Sequence, residues 1–260
     1  MDTIRFFRRL GAEAFSLIRS LDDPLKIVGT NPLGQKTMRI DAALEDLALK
    51  RLCDAKIGAR LVTEERGEAK LSGKSGVVLL DPLDGSNNYR RKVPSYGLAI
   101  AYADGNRYED IKHSYIKDLA TGDEYWATRG KGAYLNGKRI HTSKETELSR
   151  CIIEYDPNYN QRIYKRILPL LTSVKDVRRF GANAVALCYI ATSAHHIFVD
   201  LDNGLSVIHA SGLAIAEEAG AVVTCASGKR MNVRLEADET LSFVCSANQI
   251  LHKKALALIK

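Results

Sequence analysis

An apolar run, Val77-Val78-Leu79-Leu80, leads straight into Asp81-Pro82-Leu83-Asp84-Gly85-Ser86-Asn87-Asn88-Tyr89. The run predicts a buried strand that ends by delivering two carboxylates, three positions apart, into a turn. Pro82 sets φ for the bend, and Gly85 can take the backbone conformation a tight turn needs. Carboxylates clustered at a strand end, with backbone carbonyls between them, suit hard divalent cations such as Mg²⁺. A solvated Asp-Pro turn is the plainer reading of these residues taken alone, and the rest of the chain weighs against it.

Two other acidic segments precede this one. Asp41 opens a stretch with Leu44, Leu47, Ala48 and Leu52 at helical spacing, so residues 41–53 read as a helix. Glu64-Glu65 follow Leu61-Val62, a second short strand. Singly they are ordinary, since Asp is a common helix cap and Glu64-Glu65-Arg66 would pass for a solvated loop. Residues 3–20 read as a helix with Ile4, Phe7, Gly11, Ala14, Phe15 and Ile18 near one face. A loop containing Asn31-Pro32-Leu33-Gly34 follows.

From Tyr96 the pattern turns to strands, at 98–102, 124–128 and 132–135, with Asn136-Gly137 as a hairpin turn before Lys138-Arg139-Ile140. After about residue 145 strand and helix alternate. Strands fall at 152–153, 197–200 and 221–224, and helices at 160–172, 182–194 and 206–219. The class is α/β, with an α+β N-terminal half over residues 1–143 and an α/β C-terminal half over 144–260, packed as one compact body.

The 260 residues, 45% hydrophobic and 27% charged, supply enough apolar side chains for a full core. No apolar run approaches the ~18 residues of a membrane helix, so no membrane partner is expected. Arg5, Arg8 and Arg9 are followed by neither an apolar segment nor a small-residue cleavage site; no secretory signal is expected, and the cytoplasm is the default. Cys53, Cys151, Cys188, Cys225 and Cys245 are widely spaced with no CxxC pair, which suggests neither a zinc site nor a disulfide framework. A net charge of +7 could suit nucleic acid, but Lys and Arg are dispersed without a basic block, so no nucleic-acid partner is expected. The same charge would steer a small phosphorylated substrate.

The order of these segments resembles the inositol monophosphatase family of metal-dependent sugar phosphatases, including archaeal members that also act on fructose 1,6-bisphosphate. Residues 80 to 89 meet that family's (W/I/L)-D-P-(I/L)-D-G-(S/T)-x-N-(F/Y) signature almost fully. Thr63-Glu64-Glu65 is similar to its Glu-Glu segment, and Arg129 to Gly137 to its K-G-x-G-A-x-x-N-G hairpin. Arg178 to Ala184 resembles its R-x-x-G-S/T-A-A segment, and Glu218-Ala219-Gly220 its E-A-G-G helix end. The resemblance covers nearly the whole chain and implies a layered αβαβα sugar-phosphatase fold.

It also implies a chemistry. The substrate would be a small phosphorylated sugar or polyol, inositol monophosphate first and fructose 1,6-bisphosphate second, hydrolysed by a Mg²⁺-dependent phosphomonoesterase through a metal-activated water. Glu64, Asp81 and the backbone carbonyl of Leu83 would hold one Mg²⁺, with Asp81 bridging to a second ion on Asp84; Mn²⁺ could substitute. Asp41 and Ser86 would orient the water and accept its proton, with Glu64 also catalytic. Backbone N–H groups of Gly85 and Ser86 would cradle the phosphate, and Arg179 and Asp200 would contact substrate. The N-terminal half would carry metal and catalytic motifs, the C-terminal half substrate contacts, and the assembly would be a homodimer.

Two departures stand out. The family places an Asp, completing the second metal site, ten residues before the Glu of its E-A-G; here that position is Ile208, followed by His209. His209 could supply an imidazole after a one-residue shift, Asp200 or Asp202 could reach in, or the second site could be weak or missing. Inositol-specific members also carry a Glu about seven residues earlier, a position near Leu201 here. A 3′(2′),5′-bisphosphate nucleotidase is the nearest enzymatic alternative. A weakened homologue that binds a phosphorylated metabolite is the rival class. Retention of Asp41, Glu64, Asp81, Asp84 and Ser86 argues against that rival, because none has an evident folding role in the sequence.

Overall fold

The computed structural model describes residues 2–32, 34–156 and 160–259, the side chains of residues 202 and 203 apart. Asp2 caps the first helix, α1 (Thr3–Ser20), by accepting the Ile4 N–H at 3.1 Å. A hairpin of β1 (Ile27–Thr30) and β2 (Lys36–Met38) leads into α2 (Arg39–Ala55). Then come β3 (Arg60–Thr63), β4 (Gly67–Lys70), β5 (Val77–Asp84) and the short helix α3 (Ser86–Arg91). β6 (Gly97–Ala103), β7 (Ile111–Asp118), β8 (Glu124–Thr128), β9 (Gly132–Leu135) and β10 (Lys138–Ile140) complete this stretch. The second stretch holds β11 (Ile152–Asp156), α4 (Gln161–Leu171), β12 (Asp176–Arg178), α5 (Asn183–Ala191) and β13 (Ile197–Ser206). A single 3-10 turn, Val207–His209, opens into α6 (Ala210–Ala219), followed by β14 (Val222–Cys225), β15 (Thr240–Ser246) and α7 (Gln249–Leu258).

Among the described residues, eight strands form one sheet in the order β10-β9-β8-β7-β6-β5-β3-β4, and five form another in the order β12-β11-β13-β15-β14. β3 and β5 run parallel, as do β11 with β12 and with β13; the other pairings in these two sheets are antiparallel. Period-two alternation assigns the two faces of the large sheet. Val78, Leu80, Leu98 and Ile100 join Leu10, Leu44 and Leu52 of α1 and α2, while Val77, Leu79 and Ala101 face Leu187, Ile190 and Leu213 of α5 and α6. Phe198 and Phe243 meet α5 and α6 from the second sheet, and Val199 and Val244 turn outward to Ile167 and Leu251 of α4 and α7. The layers are therefore αβαβα. No described helix is long and apolar enough to cross a membrane.

Several elements exceed what the sequence pattern suggests. β4, β7, β12, β15 and α7 were not expected, and β15 lies inside the second sheet, where Ser and Thr dilute its apolar signal. The segment 27–38 is a hairpin rather than a plain loop. Helix 206–219 begins as a 3-10 turn. Two of the family-like segments hold each other: Glu218 accepts the Gly130 N–H at 2.8 Å and the Gly132 N–H at 2.9 Å. That explains their coexistence without any part in chemistry.

Candidate active site

β5 does not end at Leu80 as the pattern suggests; it continues through Asp84. On β6 its partners are Ala99 for Asp81 and Gly97 for Asp84, so three steps on β5 oppose two on β6. That is a bulge of one residue. In a regular strand residues three apart point to opposite faces. The bulge turns Asp81 and Asp84 to the same side. Gly85 then reverses the chain at φ 81°, where a Cβ would stand 2.7 Å from the Ser95 carbonyl oxygen, and α3 begins at Ser86.

Thr63, in register with Leu80 on the parallel neighbour β3, is followed by Glu64 and Glu65. Asp41 comes from the first turn of α2, where its Oδ2 accepts the Met38 N–H at 2.9 Å. Asp41, Glu64, Glu65 and Ser86 line one cleft of about 280 Å³, with exposed Lys36 and Arg90 on its wall. The β1–β2 hairpin forms the opposite side, a contribution that no sequence signal announced.

These acids raise one another. Burial lifts the Asp41 carboxyl to about 7, with Glu65 and Asp81 adding to the effect and the Met38 N–H opposing it. Burial, then the Asp81 charge, pushes Glu64 well above the usual carboxylate range. Burial also raises Asp81, against the His209 hydrogen bond, and Glu65, which accepts a hydrogen bond from the Thr37 hydroxyl. A buried concentration of carboxylates is costly without positive charge nearby.

His209 supplies some of that charge. Its Nε2 lies 3.4 Å from Asp81 Oδ2 and 3.7 Å from Asp84 Oδ1. Burial alone would lower the imidazole's pKa, but the hydrogen bonds and charges of Asp81 and Asp84 prevail and hold it well above the ordinary value. Ile208 is 1% exposed and packs in the core between the sheets. Residue 209, one position after the ungapped match, therefore faces Asp81 and Asp84. The Asp202 side chain lies outside the described residues.

The other expected positions are more dispersed. Leu83 is buried and donates its N–H to Asp81 Oδ1 at 3.0 Å. Arg179 pairs with Asp156 at 3.5 Å and is not among the residues that line the cleft. Asp200 is fully buried in β13, in register with Asp156 of β11. The loop before α5 is clamped at Phe180, whose N–H reaches Glu154 Oε1 at 3.0 Å and whose carbonyl accepts Asn88 Nδ2 at 2.6 Å.

One expectation fails. Asp84 has a clear folding role, accepting the Asn183 N–H at 2.8 Å on one oxygen and the Val185 N–H at 2.9 Å on the other, so it caps α5. Asp41 likewise secures the start of α2. Their retention is thus weaker evidence for catalysis than the sequence implied. The Asp84 partners, 99 and 101 positions away, leave no mark in local sequence.

The inositol monophosphatase family model matches residues 8–260. A fructose-1,6-bisphosphatase/inositol-1-monophosphatase of Archaeoglobus fulgidus is 36% identical over 266 residues, spanning 100% of this chain and 98% of that protein. A bifunctional NADP phosphatase/NAD kinase of Methanococcus maripaludis is 30% identical over 247 residues, 86% of this chain but 43% of that longer protein. A crystal structure described as inositol monophosphatase-fructose 1,6 bisphosphatase superposes with a TM-score of 0.87 at 27% identity, covering 99% of this chain and 100% of that one. With α2 and the end of β3 bringing Asp41, Glu64 and Glu65 into one cleft beside the β5–α3 junction, this chain belongs to the inositol monophosphatase family of phosphatases.

Proposed function

We propose that the chain is a divalent-metal-dependent phosphomonoesterase for a small phosphorylated polyol or sugar, inositol monophosphate and fructose 1,6-bisphosphate foremost. The observation that carries this reading is the convergence of Asp41, Glu64, Glu65 and Ser86 in one cleft with Lys36 and Arg90 on its wall. Asp81 and Asp84 approach from the bulged end of β5. The donor set fits Mg²⁺ or Mn²⁺, because hard oxygen ligands predominate and His209 offsets only part of their charge. Glu64, Asp81, Asp84 and the Leu83 carbonyl would hold the cations.

Bound cations would supply the charge that makes water acidic and offsets the phosphoryl oxygens. The chain's own residues do the rest. Asp41 is placed to take a proton, with Ser86 on the same cleft to orient the water it acts on. Gly85 and Ser86 would offer backbone N–H groups to the phosphate, while Lys36 and Arg90 would draw the anionic substrate in. Arg179 and Asp200 would contact the substrate from the C-terminal half. A cytoplasmic homodimer belongs to this reading; the five free cysteines support a reducing compartment, and light scattering on the purified protein tests the assembly.

The test is a phosphate-release panel crossing inositol 1-phosphate, fructose 1,6-bisphosphate, NADP and adenosine 3′,5′-bisphosphate with Mg²⁺, Mn²⁺ and no metal. Metal-dependent release from either of the first two is expected. Preference for a nucleotide would move the substrate class, and no release from any would overturn the reading.

A further inference from the structure

We propose that Asp81, Asp84 and His209 form a mixed nitrogen–oxygen cation position that takes a divalent transition-metal ion such as Mn²⁺ or Zn²⁺ in preference to Mg²⁺. The inference rests on the reading that this cleft holds divalent cations, and it concerns which ion the chain's departure at residues 208 and 209 selects.

The spacing of the donors is the first observation. One ligand atom from each of the three residues lies within 4.8 Å of the other two. His209 Nε2 stands 3.4 Å from Asp81 Oδ2 and 3.7 Å from Asp84 Oδ1. A charge-assisted N–H···O⁻ bond draws its atoms to roughly 2.7–2.9 Å. Ligands held at about 2.1 Å from one ion are instead about 3.0 to 3.4 Å apart, depending on whether they are octahedral or tetrahedral neighbours. Both separations exceed the usual length of such a bond, and the 3.4 Å one matches the spacing of donors around a single ion.

The orientation of the ring is the second observation. His209 Nδ1 is 3.1 Å from the backbone carbonyl of Ser206, at the start of the same 3-10 turn. A carbonyl can only accept, so Nδ1 carries the proton. In the neutral ring the Nε2 lone pair then faces Asp81 and Asp84. A ring nitrogen anchored to a backbone carbonyl, with the other nitrogen presented to carboxylates, is the usual support for a metal-ligating histidine.

The third is what is missing nearby. Ile208 is turned into the core, so the residue at the ungapped family position contributes no oxygen. The turn packs on β5 and β6, which fixes its register relative to the bulge. Replacing a carboxylate by a neutral imidazole removes one negative charge and one hard oxygen. Mg²⁺ demands oxygen ligands in near-octahedral array, whereas Mn²⁺ and Zn²⁺ accept imidazole nitrogen.

The experiment is metal binding without substrate on full-length protein, using equilibrium dialysis with Mg²⁺ and Mn²⁺ and pulsed electron paramagnetic resonance of bound Mn²⁺. Wild-type protein is expected to bind Mn²⁺ at least ten-fold tighter than Mg²⁺ at this position and to show coupling to an imidazole nitrogen. His209→Asp should abolish that coupling and tighten Mg²⁺ by a similar factor, while Asp81→Asn should release most of the metal. Bound Mn²⁺ without nitrogen coupling in wild-type protein overturns this inference while leaving the parent reading intact. If wild-type protein binds neither ion, both fall. Should His209→Asp fail to fold, the wild-type spectrum alone still decides.

Discussion

Asp84 caps a helix, and that sets it apart from Asp81. Both of its oxygens accept N–H groups from the first turn of α5, while its neighbour Asp81 accepts a single N–H from Leu83. An asparagine at 84 has only one acceptor oxygen, so one buried N–H would face an amide NH₂. Asp84→Asn is expected to lower the stability of the metal-free protein by about 1–3 kcal/mol, read by urea unfolding. Asp81→Asn keeps an oxygen for Leu83 and should stay within about 1 kcal/mol of wild type. Equal losses in the two variants would contradict the assigned capping role.

Asp41 carries a pH signature. Its folded-state carboxyl sits near 7, while in an unfolded chain it titrates at about 3.9. Between these values the folded protein keeps a proton that the unfolded chain has lost. The stability linked to that proton is complete below about 4 and is lost as pH rises through 7. At ~1.4 kcal/mol per unit it amounts to at most about 4 kcal/mol. His209, also raised, acts in the same direction. The stability difference between metal-free wild type and Asp41→Asn should therefore shrink from pH 4 to pH 8, measured by denaturant titration at each pH. A difference that grows would refute the assignment.

Among the elements, the β5–α3 junction tolerates little change. Gly85 has φ 81°, and a Cβ there would meet the Ser95 carbonyl at 2.7 Å and the Ala182 Cβ at 2.8 Å. Gly130, in the turn before β9, has a comparable φ of 74° but no atom within 4 Å of a built Cβ. Gly130→Ala should therefore pay only the backbone strain, roughly 1 kcal/mol, whereas Gly85→Ala should lose about 1–3 kcal/mol more. Gly85→Ala should also disturb phosphate release, since Ser86 and Asp84 flank it. Thermal unfolding of the two variants side by side checks both amounts. The turn glycine was legible in the sequence; the bulge before it was not, because a strand's register depends on its partner strand.

At the scale of the molecule, the site joins parts far apart in the chain. Asp41, Glu64, Asp81 and Asp84 come from elements that build the large sheet and its outer helices, while α5 and His209 reach them from the layer between the sheets. A cation bound here ties these layers together only in the folded state. At a free metal concentration 100-fold above Kd it should add about 2.7 kcal/mol. For a chain of this size that is an unfolding midpoint roughly 5–10 °C higher. Asp81→Asn should show little of this shift in differential scanning calorimetry, and an equal rise in both proteins would mean that the metal binds elsewhere.

The acidic segments, the turn at Gly85, the Asn136-Gly137 hairpin and the change from strand-rich to alternating pattern were set by local sequence, because turn chemistry and hydrophobic period act over a few residues. So was the resemblance, which rests on short motifs in a fixed order. Tertiary structure alone decided that Asp81 and Asp84 share a face, that Asp84 caps α5, and that His209 rather than Ile208 meets the carboxylates. Each of these depends on register between segments more than a hundred residues apart or on an added residue in one strand. A one-residue slip there exchanges a core side chain for one that faces the carboxylates while leaving the local pattern unchanged.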